Sequence, residues 1–154
     1  NSRFAENPGK LYRFSKGHGE LACEACHGST HSEWPVSPIA ANDNVASTQI
    51  QGHTGALIEC AACHASGTLP TLTLGGPHGM HQVNSSSFIH DHHDLFESQS
   101  ATCRACHGAN LQGTVLSRAA DDRTWTVEGH TVSVTKGTAI SCTLCHGNPD
   151  EDDD

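Results

Sequence analysis

The strongest periodic pattern in the chain is an alternation of polar and apolar residues near its C-terminal end. Residues 124–127 and 131–135 alternate in this way on either side of Glu128-Gly129-His130. A period of two places every second side chain of a strand on the same face, and a short Gly-containing connection joins two such strands as a hairpin. The pattern therefore predicts one β-hairpin with His130 in its turn, and an apolar face formed by Trp125, Val127, Val132 and Val134.

Helical periodicity is weak in the rest of the chain. Residues 29–51 and 67–87 are rich in Gly, Pro, Ser, Thr and Asn, which disfavours long helices. Short Cys-containing motifs predict single helical turns, for example over 21–27 and 101–107, and residues 87–98 fit a longer helix. We therefore expect little regular secondary structure, with short helices at the motifs and one hairpin.

The composition shows that side chains alone are a poor source of a hydrophobic core. The chain has 154 residues, 35% of them hydrophobic, with two Trp, one Tyr, four Phe and one Met. A domain of this length normally buries a continuous apolar interior, so another component has to contribute to it. The residues in excess are 13 His and eight Cys. We expect a single domain over 1–154, with an extended N-terminal arm over 1–17 and an acidic tail over 149–154.

The formal net charge is −9, which disfavours nucleic acid and anionic membrane surfaces as partners. No apolar run approaches the roughly 20 residues of a membrane-spanning helix, so no membrane insertion is expected. The lack of a charged and apolar leader after Asn1 predicts a mature, exported chain whose signal peptide has been removed. Asn84-Ser85-Ser86 matches the N-glycosylation pattern, which is short enough to occur by chance.

Four copies of C-x-x-C-H carry the chemistry. This pattern attaches c-type haem: two thiols one helical turn apart reach the two vinyl groups on one haem edge, and the adjacent His binds the iron. A zinc site or a redox disulfide explains one or two C-x-x-C pairs, but not a His after every pair. We therefore predict four covalent haem c groups, attached at Cys23, Cys26, Cys60, Cys63, Cys103, Cys106, Cys142 and Cys145, with His27, His64, His107 and His146 as proximal iron ligands.

Each iron then takes a second axial ligand or keeps an open position. Nine His remain against the single Met80, so the sequence favours two His ligands at every iron, and an iron closed in this way only exchanges electrons. Small neighbours such as Gly allow a backbone to approach a flat ring closely. The candidates for the distal position, several of which have such neighbours, are His18, His31, His53, His78, His81 and His92. We expect His90, His93 and His130 not to bind iron.

Longer strings surround several of the His residues. They are Gly17-His-Gly, Cys26-His-Gly-Ser-Thr-His-Ser-Glu-Trp-Pro, Gln51-Gly-His-Thr-Gly, Gly75-Gly-Pro-His-Gly-Met-His and Cys106-His-Gly-Ala-Asn-Leu-Gln-Gly-Thr-Val-Leu-Ser-Arg. In these strings, from His18 to Gly147, the chain resembles the small tetrahaem cytochromes that polymerise into extracellular filaments, the family of the outer-membrane cytochrome E of metal-reducing bacteria. The resemblance implies a multihaem cytochrome c fold with a haem-dominated core, two His ligands at every iron, and a homopolymer in which one His crosses between subunits. It also implies a location at the cell surface or outside the cell.

The predicted function is electron transfer to redox partner proteins or extracellular acceptors, within a conductive filament or as a soluble periplasmic or extracellular shuttle. A multihaem reductase needs an open iron position with acid–base groups beside it, and four standard motifs with surplus His make it the weaker alternative. His18, at the end of the N-terminal arm, is the predicted inter-subunit ligand. In the alternative, the arm folds back and His18 binds an iron of its own chain.

Overall fold

The computed structural model describes residues 7–11, 14–28 and 45–147. The chain divides into two compact units, Asn1–Val83 and Asn84–Asp154, and each unit contains two of the four C-x-x-C-H motifs. The predicted ligand His31, the acidic tail and part of the N-terminal arm lie outside the described residues. The single domain over 1–154 stays a prediction.

Short helices and single 3-10 turns make up the first unit. Helix α1 is Glu24–His27 and helix α2 is Val45–Gln51, and the turns are His18–Glu20, Cys60–Ala62 and Pro77–Gly79. Helix α1 ends at Gly28, whose φ of 74° lies in the left-handed region that glycine tolerates. Leu57 N donates a 2.9 Å hydrogen bond to Cys26 O, which ties the segment before the second motif to the first motif.

Helices α3 (Ser86–Asp91) and α4 (His93–His107) open the second unit. The Ser85 hydroxyl caps α3 by accepting a 3.2 Å hydrogen bond from Phe88 N. The longer helix predicted over 87–98 is confirmed in part, because His92 separates two helices. Gln99, with φ of −138° and ψ of 29°, interrupts the helical geometry of α4. The helical turn predicted over 101–107 is confirmed, and it lies in the segment of α4 that follows this kink. Two 3-10 turns follow, Val115–Ser117 and Cys142–Leu144.

The predicted hairpin is confirmed. Strands β1 (Arg123–Val127) and β2 (His130–Val134) pair in the antiparallel sense. Glu128 and Gly129 form the two-residue connection with φ of 50° and 82°. Both values are positive, as the type I′ turn that matches the twist of paired strands requires.

The predicted apolar face of the hairpin is also present. Trp125 lies opposite Val132 in the register, and Val127 and Val134, two residues further along each strand, are buried. His130 is the first residue of β2 and pairs with Val127. Its predicted place in the turn is therefore wrong by one residue, because the turn needs only two.

Little of the polypeptide is buried, as the composition predicts. Among the described residues, the buried apolar side chains are Ala56, Leu111, Val127 and Val134, and Leu111 is the large one that is fully enclosed, at 1% exposure. Other large apolar side chains are exposed: Leu11, Phe14, Leu21, Val45, Ile50, Val115, Leu116 and Leu144. Side chains alone do not form a continuous core in the described parts of either unit. No helix in these parts is long and apolar enough to cross a membrane.

Candidate cofactor-binding sites

Each C-x-x-C-H motif folds as a helical turn. In the first, second and fourth motifs, the backbone N–H of the His donates a hydrogen bond to the backbone carbonyl of the first Cys, at 3.0, 2.9 and 3.2 Å. The third motif lies in α4. Residues three apart share one face of such a turn. No two of the eight Cys form a disulfide, and burial raises the pKa of four of them: Cys26, Cys60, Cys103 and Cys145.

His27 of the first motif faces His78 within the first unit. Their ring centroids are 5.7 Å apart and their planes meet at 77°. His78 has a φ of 60°, in the left-handed region that is rare for residues with a side chain and that is concentrated at functional sites. Gly76 allows this turn, because a Cβ there would lie 2.6 Å from Met80 O. The Gly-rich segment therefore holds His78 opposite the first motif.

Both of these rings line a cavity of about 490 Å³. The residues that line it also include Cys23 and Cys26, His18, the basic residue Lys10 and apolar residues such as Leu21. The volume lies within the range of about 300–1,000 Å³ that is usual for cofactor sites. The cavity therefore brings together two thiols for covalent attachment, two facing imidazoles, and a cation that can pair with an acidic group of a cofactor.

Burial, and then the nearby His78, lower the pKa of His27. Burial disfavours the charged imidazolium, and a second positive charge close by disfavours it further. A neutral ring is the form of His that binds a metal. The surroundings of His27 therefore favour the neutral form, which is the form that a metal ligand needs.

His18 lies against the His of a different motif in the same unit. Its ring centroid is 5.8 Å from that of His64, and the planes meet at 58°. Gly17 and Gly19 flank it, and Gly17 N closes the turn by donating a 2.8 Å hydrogen bond to Leu21 O. This placement favours the alternative in which the arm folds back and His18 serves its own chain. Because His18 also lines the cavity of the first motif, the sites of the first two motifs share a residue.

His92 and His146 form a third pair of rings, within the second unit. Their centroids are 5.9 Å apart and their planes meet at 28°. Nδ1 of His92 lies 3.2 Å from Phe88 O and 2.9 Å from Ile89 O, in the preceding turn of helix, and the Phe88 ring stacks on it at 5.8 Å. Because Nδ1 donates to the helix, Nε2 is the nitrogen that remains to bind a metal.

Three further rings are anchored through Nδ1 to a backbone carbonyl. A metal-binding His usually donates its other ring N–H to such an acceptor, which fixes the tautomer and the orientation of the ring. The three are therefore oriented as metal ligands are. The contacts are His81 to Gln82 O at 3.0 Å, His107 to Ile140 O at 2.9 Å and His146 to Gly147 O at 2.6 Å.

Close backbone contacts join the segments that carry the third and fourth motifs. Gly113 N donates to His107 O at 2.9 Å, and Cys142 N donates to Leu111 O at 3.2 Å. Gly113 has a φ of 84°, and a Cβ there would lie 2.9 Å from Ile140 O. The approach to the fourth motif therefore supplies the carbonyl that orients the His of the third.

His53 is held by protein groups at both ring nitrogens. It is 7% exposed, with Nε2 at 3.0 Å from Glu59 Oε1 and Nδ1 at 3.2 Å from Thr54 O. The Gln51 amide closes the same loop by donating to three backbone carbonyls. Since neither nitrogen is left for a metal, this placement does not support the predicted role of His53 as a distal ligand.

His90, His93 and His130 are exposed, and His93 Nδ1 lies 3.7 Å from the Glu97 carboxylate. Over residues 7–11, 14–28 and 45–147, no group of three or more His, Cys, Asp or Glu side chains is placed to hold a metal ion. Sequence reasoning missed the groups that orient the rings, such as the Ile140 carbonyl. No local pattern marks them, because every residue has a carbonyl and only the fold selects one.

No protein-family model, curated protein or solved structure matches this chain. Its function is therefore inferred from the motifs and from the geometry of the side chains.

Proposed function

We propose that the chain is a tetrahaem c-type cytochrome that transfers electrons. The observation that carries the proposal is the pairing of His rings, because the His of each of three motifs has a second His ring at 5.7, 5.8 or 5.9 Å. A His nitrogen lies about 2 Å from a metal that it binds, so two rings on opposite sides of one iron have centroids roughly 6 Å apart. The proposed ligand pairs are His27 with His78, His64 with His18, and His146 with His92.

The second ligand at His107 is proposed from the predicted candidates that have no motif His beside them. His53 is set aside because both of its nitrogens are engaged, which leaves His31 and His81. His81 is the proposed ligand because Gln82 O orients its Nδ1 at 3.0 Å, as a backbone carbonyl orients the ring of a metal-binding His. In a filament, this ligand comes from a neighbouring subunit.

The thin core supports an interior that is filled by the cofactor. Leu144 lies inside the fourth motif and Leu21 lies two residues before Cys23, yet both side chains are exposed, at 37% and 45%. Haem attached at these motifs would cover them, and each Å² of apolar surface removed from water contributes about 25 cal/mol. Folding of the chain then depends on attachment of the cofactor.

Electron transfer is favoured over substrate turnover because, at three of the four motifs, a second His lies close enough to the motif His for the two to hold one haem iron. Haem iron, when bound, supplies the redox step by accepting and releasing one electron. The residues of the chain orient the imidazoles and disfavour protonation of His27, and two His at one iron would leave no position open for an exogenous ligand. A multihaem reductase would need the open position that these pairs close.

We further propose that the chain is the subunit of an extracellular conductive filament. The support for this step is the resemblance of its Gly-His-Gly, Gly-His-Thr-Gly and Gly-Gly-Pro-His-Gly-Met-His strings to those of polymerising tetrahaem cytochromes. A soluble tetrahaem shuttle is the alternative, and electron microscopy separates the two. Negative staining of the purified protein should show micrometre-scale fibres, whereas a small soluble particle would establish the shuttle.

The number of haems tests the main proposal directly. We expect the intact mass to exceed that of the polypeptide by four haems, and the colour to survive extraction with acidified acetone. Replacing both Cys of one motif with Ser should lower the excess by one haem. A mass excess of fewer than four haems would assign a motif to zinc or to a disulfide.

Spin state tests the ligand set. Ferric protein should show only low-spin signals in electron paramagnetic resonance, because two imidazoles give a strong ligand field. A persistent high-spin fraction that binds cyanide quickly would restore the reductase alternative.

His81→Ala, compared with the exposed His93→Ala, should abolish fibres and leave one high-spin iron in the soluble subunit if His81 is the ligand that crosses between subunits.

A further inference from the structure

Asn84 occupies an exposed turn directly before α3. Its φ of 59° lies in the left-handed region, which Asn adopts more readily than most residues with a side chain. Ser85 and Ser86 follow it and complete the pattern Asn-x-Ser that N-glycosylation requires. A three-residue pattern also occurs by chance, so the case for modification rests on the surroundings of the Asn84 side chain.

The amide of Asn84 is oriented by Trp125. The indole Nε1 lies 3.0 Å from Asn84 Oδ1. Because an indole N–H can only donate, the amide group has to present its oxygen to Trp125. The nitrogen Nδ2, which is the acceptor atom in N-glycosylation, is then directed away from the indole. Within the described part of the chain, no protein group is hydrogen-bonded to it.

The two Ser hydroxyls have different surroundings. Ser85 Oγ is engaged in capping α3, because it accepts from Phe88 N. Ser86, the first residue of α3, is exposed, and it is the residue whose hydroxyl the glycosylation pattern specifies. The acceptor amide and the required hydroxyl are therefore both on the surface, while the intervening residue holds the turn.

We propose that Asn84 is an N-glycosylation site, with the Trp125 indole beside the first sugar. The donor is a lipid-linked oligosaccharide. An Nδ2–H bond breaks, an Nδ2–C1 bond to the sugar forms, and the bond from C1 to the diphosphate breaks, so that the polyprenyl diphosphate leaves and the proton is released. The inference rests on the export that the proposed function includes, and it does not depend on the haem ligands.

Mass spectrometry of the protein from the organism that produces it tests the proposal. A peptide that contains Asn84 should carry an added glycan mass, whereas the exposed Asn110, which has Gln112 two residues later, should not. Ser86→Ala should abolish the added mass, and Ser86→Thr should keep it, because Thr also satisfies the pattern. Haem content and spin state should be the same in both variants.

Unmodified Asn84 in that material would overturn the proposal, as would an added mass that persists in Ser86→Ala. A second variant tests whether the hydrogen bond from Trp125 contributes to modification of Asn84 without disrupting the hairpin. Trp125→Phe removes the indole N–H and keeps an aromatic ring in the hairpin face, so the site should stay modified with lower occupancy. Full occupancy of Asn84 in that variant would show that the Trp125 hydrogen bond does not contribute to its modification. The glycan mass on Asn84 can be measured whatever the number of haems, so a failure of the proposed function and a failure of this proposal are distinguishable.

Discussion

The ring of His18 lies 5.8 Å from the ring of His64, and both belong to one chain. If this pair holds an iron, His18→Ala removes one axial ligand without removing a thioether. We expect one of the four irons to become high-spin and to bind cyanide, while the other three stay low-spin. Fibres should persist, because the missing ligand is not the one that crosses between subunits. Electron paramagnetic resonance and negative staining measure the two outcomes.

A matched control for this variant is His130→Ala, since His130 is exposed and pairs only within the hairpin. It should leave every iron low-spin. Loss of fibres in His18→Ala, with three irons still six-coordinate in a soluble subunit, would instead return His18 to the inter-subunit role.

His92 and His93 are adjacent in sequence and face different surroundings. His92 lies 5.9 Å from His146, whereas His93 is exposed beside Glu97. His92→Ala should give one high-spin iron, because the fourth motif loses its second imidazole, and His93→Ala should give none. The same spectral change in both variants would show that disruption of the helix, and not loss of a ligand, is the cause.

His53 is expected to stabilise the protein without binding iron. His53→Ala removes the hydrogen bond between His53 Nε2 and the Glu59 carboxylate, which is largely buried. A hydrogen bond to a charged group contributes about 1.5–3 kcal/mol, and a loss of that size is expected in guanidinium unfolding of the haem-containing protein. Glu59→Gln keeps a hydrogen-bonding group at this position and should cost less. A new high-spin signal in His53→Ala would show that His53 is an iron ligand after all.

A comparison of Ala variants at Gly113 and Gly137 separates the cost of a left-handed backbone from the cost of a steric clash. Both have positive φ, 84° and 88°, but a Cβ at Gly137 meets nothing within 4 Å, whereas one at Gly113 lies 2.9 Å from Ile140 O. Gly137→Ala should cost about 1–2 kcal/mol from the left-handed backbone alone. Gly113→Ala should cost about 1–3 kcal/mol more from overpacking.

Spectroscopy extends the same comparison. Displacing Ile140 removes the carbonyl that orients His107, so Gly113→Ala should also change the signal of one iron, and Gly137→Ala should leave all four unchanged. Equal costs and unchanged spectra in both variants would mean that the two segments do not depend on this contact.

The sequence by itself determined the features whose information is local. Each C-x-x-C-H motif specifies its thiols and its His within five residues, so no tertiary information is needed to find them. The hairpin follows from alternation around Glu128 and Gly129. The thin core follows from composition. The helical turn at the third motif is local in the same way, whereas the helical residues that precede Gln99 in α4 follow from no feature of the motif.

Only the tertiary structure decided which His faces which. His18, His53 and His78 all have Gly neighbours, and no local feature separates them. In the fold, two of them face the His of a motif, while the third is held between Glu59 and a backbone carbonyl. Two His rings form a pair only when the fold brings together segments that are distant in sequence and places a carbonyl where it orients each imidazole. Those distances and directions are set when the chain folds, and no pattern of neighbouring residues contains them.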